Sequence, residues 1–131
     1  MSDWLLLVED EPDIQLIARA ALARAGFDVR TAASGLQALD AMATELPQAV
    51  VLDWFMPMLD GASTCAALKA DPRTRDVPVI VLTASTDGDV QRQCLALGAI
   101  GCITKPFEPL RLGEQVRALL SAHRDRGERS A

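Results

Sequence analysis

The chain reads as a single α/β domain, an open parallel sheet of five strands with helices on both faces. Three observations predict it. Short apolar runs alternate with longer amphipathic segments five times over, most of those runs are apolar at every position, and Gly or Pro stands at many of the junctions. A strand that is apolar on both faces belongs in a parallel sheet covered on both sides. Regular alternation of strand and helix then implies right-handed crossovers around such a sheet.

Taken in order, the first strand is Trp4-Leu5-Leu6-Leu7-Val8. A helix follows from Pro12 to Ala25, with Pro12 at the first turn, where its missing N–H costs nothing, and Gly26 placed to end it. Val29 to Ala32 forms the second strand, and a helix from Ser34 or Gly35 to Thr44 is stopped before Pro47. The third strand, Ala49 to Leu52, leads to a helix that Asp60 caps and that reaches Ala70, ahead of Pro72. Val79 to Leu82 is the fourth strand. The next helix has Thr86 or Asp87 as its cap and ends at Gly98. Gly101 to Thr104 is the fifth strand, and the last helix starts at Pro109. Val90, Cys94 and Leu97 fall on one helical face, as do Leu112, Val116, Leu119 and Leu120, so each of these two helices has a core-facing side.

Composition narrows the function classes. At 131 residues, 50% hydrophobic and 24% charged, the chain suits one globular domain. Its formal net charge of −5 lacks the basic footprint that a nucleic-acid backbone requires, so no direct nucleic-acid contact is expected. Met1-Ser2-Asp3 carries no basic n-region, and no apolar run approaches membrane-spanning length. A cytoplasmic protein without a membrane contact is the expectation. Cys65, Cys94 and Cys102 lack C-x-x-C spacing and lie in apolar stretches, which reads as reduced core thiols. The sole histidine, His123, opens a segment without apolar side chains larger than alanine, which argues against a histidine dyad or zinc site. The domain is expected over residues 1–122, with a frayed polar tail over 123–131.

Ligands of open α/β sheets bind beyond the carboxyl ends of the strands, near the point where strand order reverses. After the first strand stand Glu9, Asp10 and Glu11; after the third, Asp53; after the fourth, Thr83; after the fifth, Lys105. The second strand ends in Ala32-Ala33 and adds no such group. A flavodoxin-like order 2-1-3-4-5 brings the other four strand ends side by side and leaves the second at the edge. Gathering Glu9, Asp10 and Asp53 is costly, since two like charges about 4 Å apart repel by ~4 kcal/mol at an effective dielectric near 20. A cation must join them. Magnesium suits oxygen ligands, and Lys105 adds a second positive charge. An ion and an ammonium flanking Asp53, with the Thr83 hydroxyl as neutral donor, make a clamp for a transferring phosphoryl group.

Four segments carry a family resemblance: Val8-Glu9-Asp10-Glu11-Pro12, Asp53-Trp54-Phe55-Met56-Pro57-Met58-Leu59-Asp60-Gly61, Val81-Leu82-Thr83-Ala84 and Lys105-Pro106-Phe107. Together, in order and each after its own strand, they resemble the signature segments of response-regulator receiver domains of two-component signalling. The resemblance runs from Trp4 to Leu120. It implies a phospho-acceptor at Asp53, phosphorylated from a phosphohistidine or a small donor without a turnover substrate. It also implies magnesium on Asp10, Asp53 and the Phe55 backbone carbonyl, with Glu9 acting partly through water. Thr83, Ala84 and Lys105 would face the phosphoryl group, and the Lys105-Pro106 bond resembles one that is cis in the family. The implied partners are a sensor histidine kinase or histidine phosphotransfer protein and a downstream effector protein.

Two positions depart from that pattern. Cys102 stands three residues before the lysine, where many receivers carry the rotating aromatic of the switch, and Phe55 occupies a place often taken by a small or polar side chain. Two readings compete with phospho-acceptance. A haloacid-dehalogenase-like phosphatase needs a second acid two residues after the nucleophile, where this chain has Phe55. A pseudo-receiver that only binds protein usually lacks the acceptor, the acid pair or the lysine, and all are present.

Overall fold

The computed structural model describes residues 4–56, 60–85 and 87–130. Ten elements alternate along it: β1 (Trp4–Val8), α1 (Pro12–Arg24), β2 (Asp28–Ala32), α2 (Gly35–Ala41), β3 (Ala49–Asp53), α3 (Gly61–Ala70), β4 (Val79–Thr83), α4 (Gly88–Ala96), β5 (Gly101–Thr104) and α5 (Pro109–Ser130). All neighbouring strands pair in parallel, in the order β2-β1-β3-β4-β5. The expected α/β architecture and its flavodoxin-like order are therefore present. Every residue of β1, β3 and β4 is buried, whereas β2 at the edge buries only Val29 and Ala32. Alternate residues of each strand feed two separate cores. Leu6, Val50, Leu52 and Val81 pack with Met42 of the α2 end, Leu68 of α3 and Cys94 of α4; Leu5, Leu7, Val51 and Ile80 pack with Leu22 of α1 and Leu112 and Val116 of α5.

Local chemistry sets most boundaries where the sequence puts them. Pro12 opens α1, and Gly26 closes its turn at φ 99°, a left-handed conformation that a side chain would oppose. Asp60 and Asp87 accept backbone N–H bonds at the starts of α3 and α4; Thr86, the other candidate cap, lies outside the described residues. The α2 helix stops at Ala41, short of the expected Thr44. Its last turn tightens, Ala43 N–H bonding the Asp40 carbonyl at 3.1 Å, as the chain turns toward β3. The largest difference is at the C-terminus, where α5 runs on to Ser130 and the expected frayed tail is helical over its described residues. The physical reason is that Arg, Glu and Ala sustain a helix already nucleated by packing, even with nothing apolar to bury.

Candidate functional site

Four strands end together at one edge of the sheet. Asp53 and Thr83 are the last residues of β3 and β4, which each run one residue further than the sequence suggests, while Glu9 follows β1 directly and Lys105 follows β5. Parallel register produces the convergence: Val8 pairs with Leu52, Asp53 with Leu82 and Thr83 with Thr104. Two backbone bonds carry the ladders past the strand ends, Trp54 N–H to the Leu82 carbonyl at 2.9 Å and Lys105 N–H to the Thr83 carbonyl at 2.7 Å. Carboxylate oxygens of Glu9, Asp10 and Asp53 all lie within 4.8 Å of one another, a grouping that could hold a metal ion. All-oxygen donors of this kind fit a hard divalent cation.

Lys105 completes the group. Its ammonium sits 2.6 Å from Glu9 Oε1 and 3.2 Å from Asp53 Oδ1. Glu9 is fully buried, and burial pushes its carboxyl above the usual range, against the Lys105 hydrogen bond that pulls it down and the Asp53 charge that adds to the rise. Burial alone would lower Lys105, but its hydrogen bonds and charge contacts with Glu9 and Asp53 outweigh that and hold it above its ordinary value. The ammonium is thus the counterion that the acid cluster requires. Asp10 is half-buried and meets solvent, whereas Asp53 is only 5% exposed.

The surrounding groups are placed by short local bonds. Thr83 is buried, and its hydroxyl oxygen accepts the Ser85 N–H at 3.1 Å, leaving the O–H proton free to donate elsewhere. Ala84 is exposed beside it. The Phe55 N–H points to Asp53 Oδ1 at 3.4 Å while its side chain is 60% exposed; Pro57, Met58 and Leu59 of the same segment lie outside the described residues. The Lys105-Pro106 bond is cis. Cys102 does not reach the acid cluster's edge. It pairs with Val81 in the middle of the β4–β5 ladder and packs on the α2–α3–α4 side. Sequence reasoning passed over Gln15, whose amide donates to the Glu9 carbonyl at 3.0 Å and so ties α1 to the end of β1. A glutamine on a helix gives no local sign of such a contact.

A family model for the response regulator receiver domain matches residues 5–117. The chain belongs to this family. The receiver is 40% identical over 116 residues to the probable transcriptional regulator ycf27 of Porphyridium aerugineum, a match spanning 88% of this chain and 47% of that protein. Among solved structures, it resembles a putative response regulator from Chloroflexus aurantiacus (33% identity, TM-score 0.85, covering 92% of this chain and 99% of that one). It also resembles the chemotaxis protein CheY4 of Vibrio cholerae (27% identity, TM-score 0.84, covering 91% and 99%). The receiver spans about half the length of the curated relatives it matches. Receiver domains are signalling modules that work between histidine kinases and downstream effectors, and the acidic pocket here is compatible with magnesium and aspartyl phosphorylation. No described helix is long and apolar enough to cross a membrane.

Proposed function

We propose that Asp53 accepts a phosphoryl group from the phosphohistidine of a sensor kinase or phosphotransfer protein, or from a small donor, and that the receiver signals through the resulting surface change. The observation that carries this reading is the Lys105 ammonium bridging Glu9 and Asp53 within a cluster of three acids. Asp10 and Asp53, with the Phe55 carbonyl, would ligate magnesium directly. Both Glu9 oxygens already have protein partners, Lys105 and the Glu11 N–H, which suits a carboxylate that reaches the ion through water. Magnesium, when bound, neutralises charge on the transferring phosphoryl oxygens. An Asp53 oxygen attacks phosphorus as the P–N bond to the donor imidazole breaks. Lys105 then has a phosphoryl oxygen in reach as a new partner, and the Thr83 O–H, beside Ala84, supplies a neutral donor.

The donor must approach from outside the strand ends. A hollow of about 490 Å³ opens beside Lys105 and Ala84, walled by Ile14 and Ile17 of α1 and by Phe107. Such a wall fits the apolar face of a helix that presents its histidine to Asp53. Output is read as protein-borne, through the α4–β5–α5 face, because a net charge of −5 gives DNA no purchase on this span. Function in the cytoplasm, alongside the kinase, follows from the same reading.

Phosphate-affinity electrophoresis with acetyl phosphate and magnesium tests the proposal. Stoichiometric labelling that Asp53→Asn abolishes is expected. Continuous donor hydrolysis without a stable adduct would favour a phosphatase, and no labelling at all would favour a pseudo-receiver.

A further inference from the structure

Gln15 of α1 holds the loop between β1 and α1 at two points. Its backbone N–H donates to the Glu11 carbonyl at 2.9 Å, and its side-chain amide donates to the Glu9 carbonyl at 3.0 Å. Asp10 stands between those two acceptors. The same amide reaches the Ala32 carbonyl at 3.5 Å, a longer contact, and that carbonyl also accepts the Glu9 N–H at 3.0 Å. A side-chain NH2 carries two donors, so one glutamine can serve the ends of both β1 and β2.

The consequence for Asp10 follows from the planarity of the peptide group, which leaves a residue only two soft backbone dihedrals. The peptide before Asp10 has its carbonyl held by Gln15, and the peptide after it has its N–H directed to Glu9 Oε2 at 3.4 Å. Holding both planes sets φ and ψ of Asp10, and with them the direction in which its short side chain leaves the backbone. That direction has to be enforced. Asp10 is half-buried and could turn to solvent, away from the like charges of Glu9 and Asp53, yet its carboxylate oxygen lies within 4.8 Å of theirs. We propose that Gln15 is a positioning residue of the ion site, its amide orienting the Glu9–Asp10 peptide so that the Asp10 carboxylate faces a divalent cation shared with Asp53. The proposal rests on the ion-binding reading above. A water replacing the amide would satisfy the Glu9 carbonyl without fixing its direction, so the effect of losing Gln15 falls on the ion more than on the fold.

Magnesium titration followed by Trp54 fluorescence, with amide NMR of the magnesium-free protein, tests this. Gln15→Met keeps the length of the side chain and removes both donors. Its magnesium dissociation constant should rise about tenfold, the lower end of what loss of a group supporting a metal ligand costs. Without magnesium, the Asp10 amide signal should already be displaced, because its nitrogen belongs to the peptide that Gln15 holds. Ala18→Gly, in the core-facing side of the same helix, should lower the unfolding midpoint and leave the dissociation constant unchanged. A Gln15→Met protein that binds magnesium as the parent does, or whose Asp10 signal stays in place, would overturn the proposal; so would Ala18→Gly weakening magnesium equally. A parent with no magnesium response would remove the ion site itself and this proposal with it, whereas a responsive parent beside an unchanged Gln15→Met removes this proposal alone.

Discussion

Two residues next to Asp53 act through space and not through charge. Phe55 stands two residues after Asp53 with 60% of its surface in solvent, and on the proposed function a phenyl ring at that position would restrict where a water can line up with an aspartyl phosphate. The phosphorylated parent should therefore decay more slowly than Phe55→Asn, by up to about tenfold, which is ~1.4 kcal/mol in the barrier. Following phosphoprotein loss after donor removal, at equal magnesium, checks this; equal rates or a faster parent would contradict it. Gly61 is constrained from the other side, because a Cβ there would lie 2.5 Å from Trp54 Cα and 2.6 Å from the Asp53 carbonyl oxygen. Backbone cannot yield as a side-chain tip can. Gly61→Ala should cost about 1–3 kcal/mol in denaturant unfolding and displace the acceptor strand end.

At the scale of the element, helix caps determine which end of each helix is held. Asp60 takes the Ser63 N–H at 2.7 Å, and that bond holds its carboxyl below the usual carboxylate range. Asp60→Ala should destabilise the fold by about 1 kcal/mol. Because the folded value is lowered, the contribution is present above the ordinary value of 3.8 and is lost as pH falls through the folded one. The difference in unfolding midpoint between parent and variant should accordingly shrink in acid and stay constant from about pH 5 to 7. Such caps were legible because an Asx residue before an amphipathic run is a local signal. The end of α2 and the extent of α5 were not, since one depends on the turn into β3 and the other on helix propagation from a packed segment.

For the molecule as a whole, an ion held by the acid cluster would couple binding to stability. Any ion that binds only the folded protein adds about 2.7 kcal/mol at 100 times its Kd, a rise on the order of 10 °C in Tm for a domain of this size. Calorimetry across a magnesium titration should show that rise in the parent and most of it missing in Asp10→Asn. Lys105→Ala should leave magnesium-dependent stabilisation in place, because the ammonium neutralises the cluster without being an ion ligand. Trp54, only 5% exposed and directly after Asp53, offers a fluorescence readout of the same titration.

The sequence by itself determined the layer architecture, the strand order and which polar residues stand at the carboxyl ends of the strands. It did so because burial on both faces writes continuous apolar runs into parallel strands, and because such sheets put their functional groups immediately after the strands. Only the tertiary structure decided how those groups meet. Glu9 and Lys105 are 96 residues apart yet joined at 2.6 Å, and Gln15 is tied to the Glu9 carbonyl. Periodicity says which face of an element is buried; only packing and register decide which atoms from distant elements share that space.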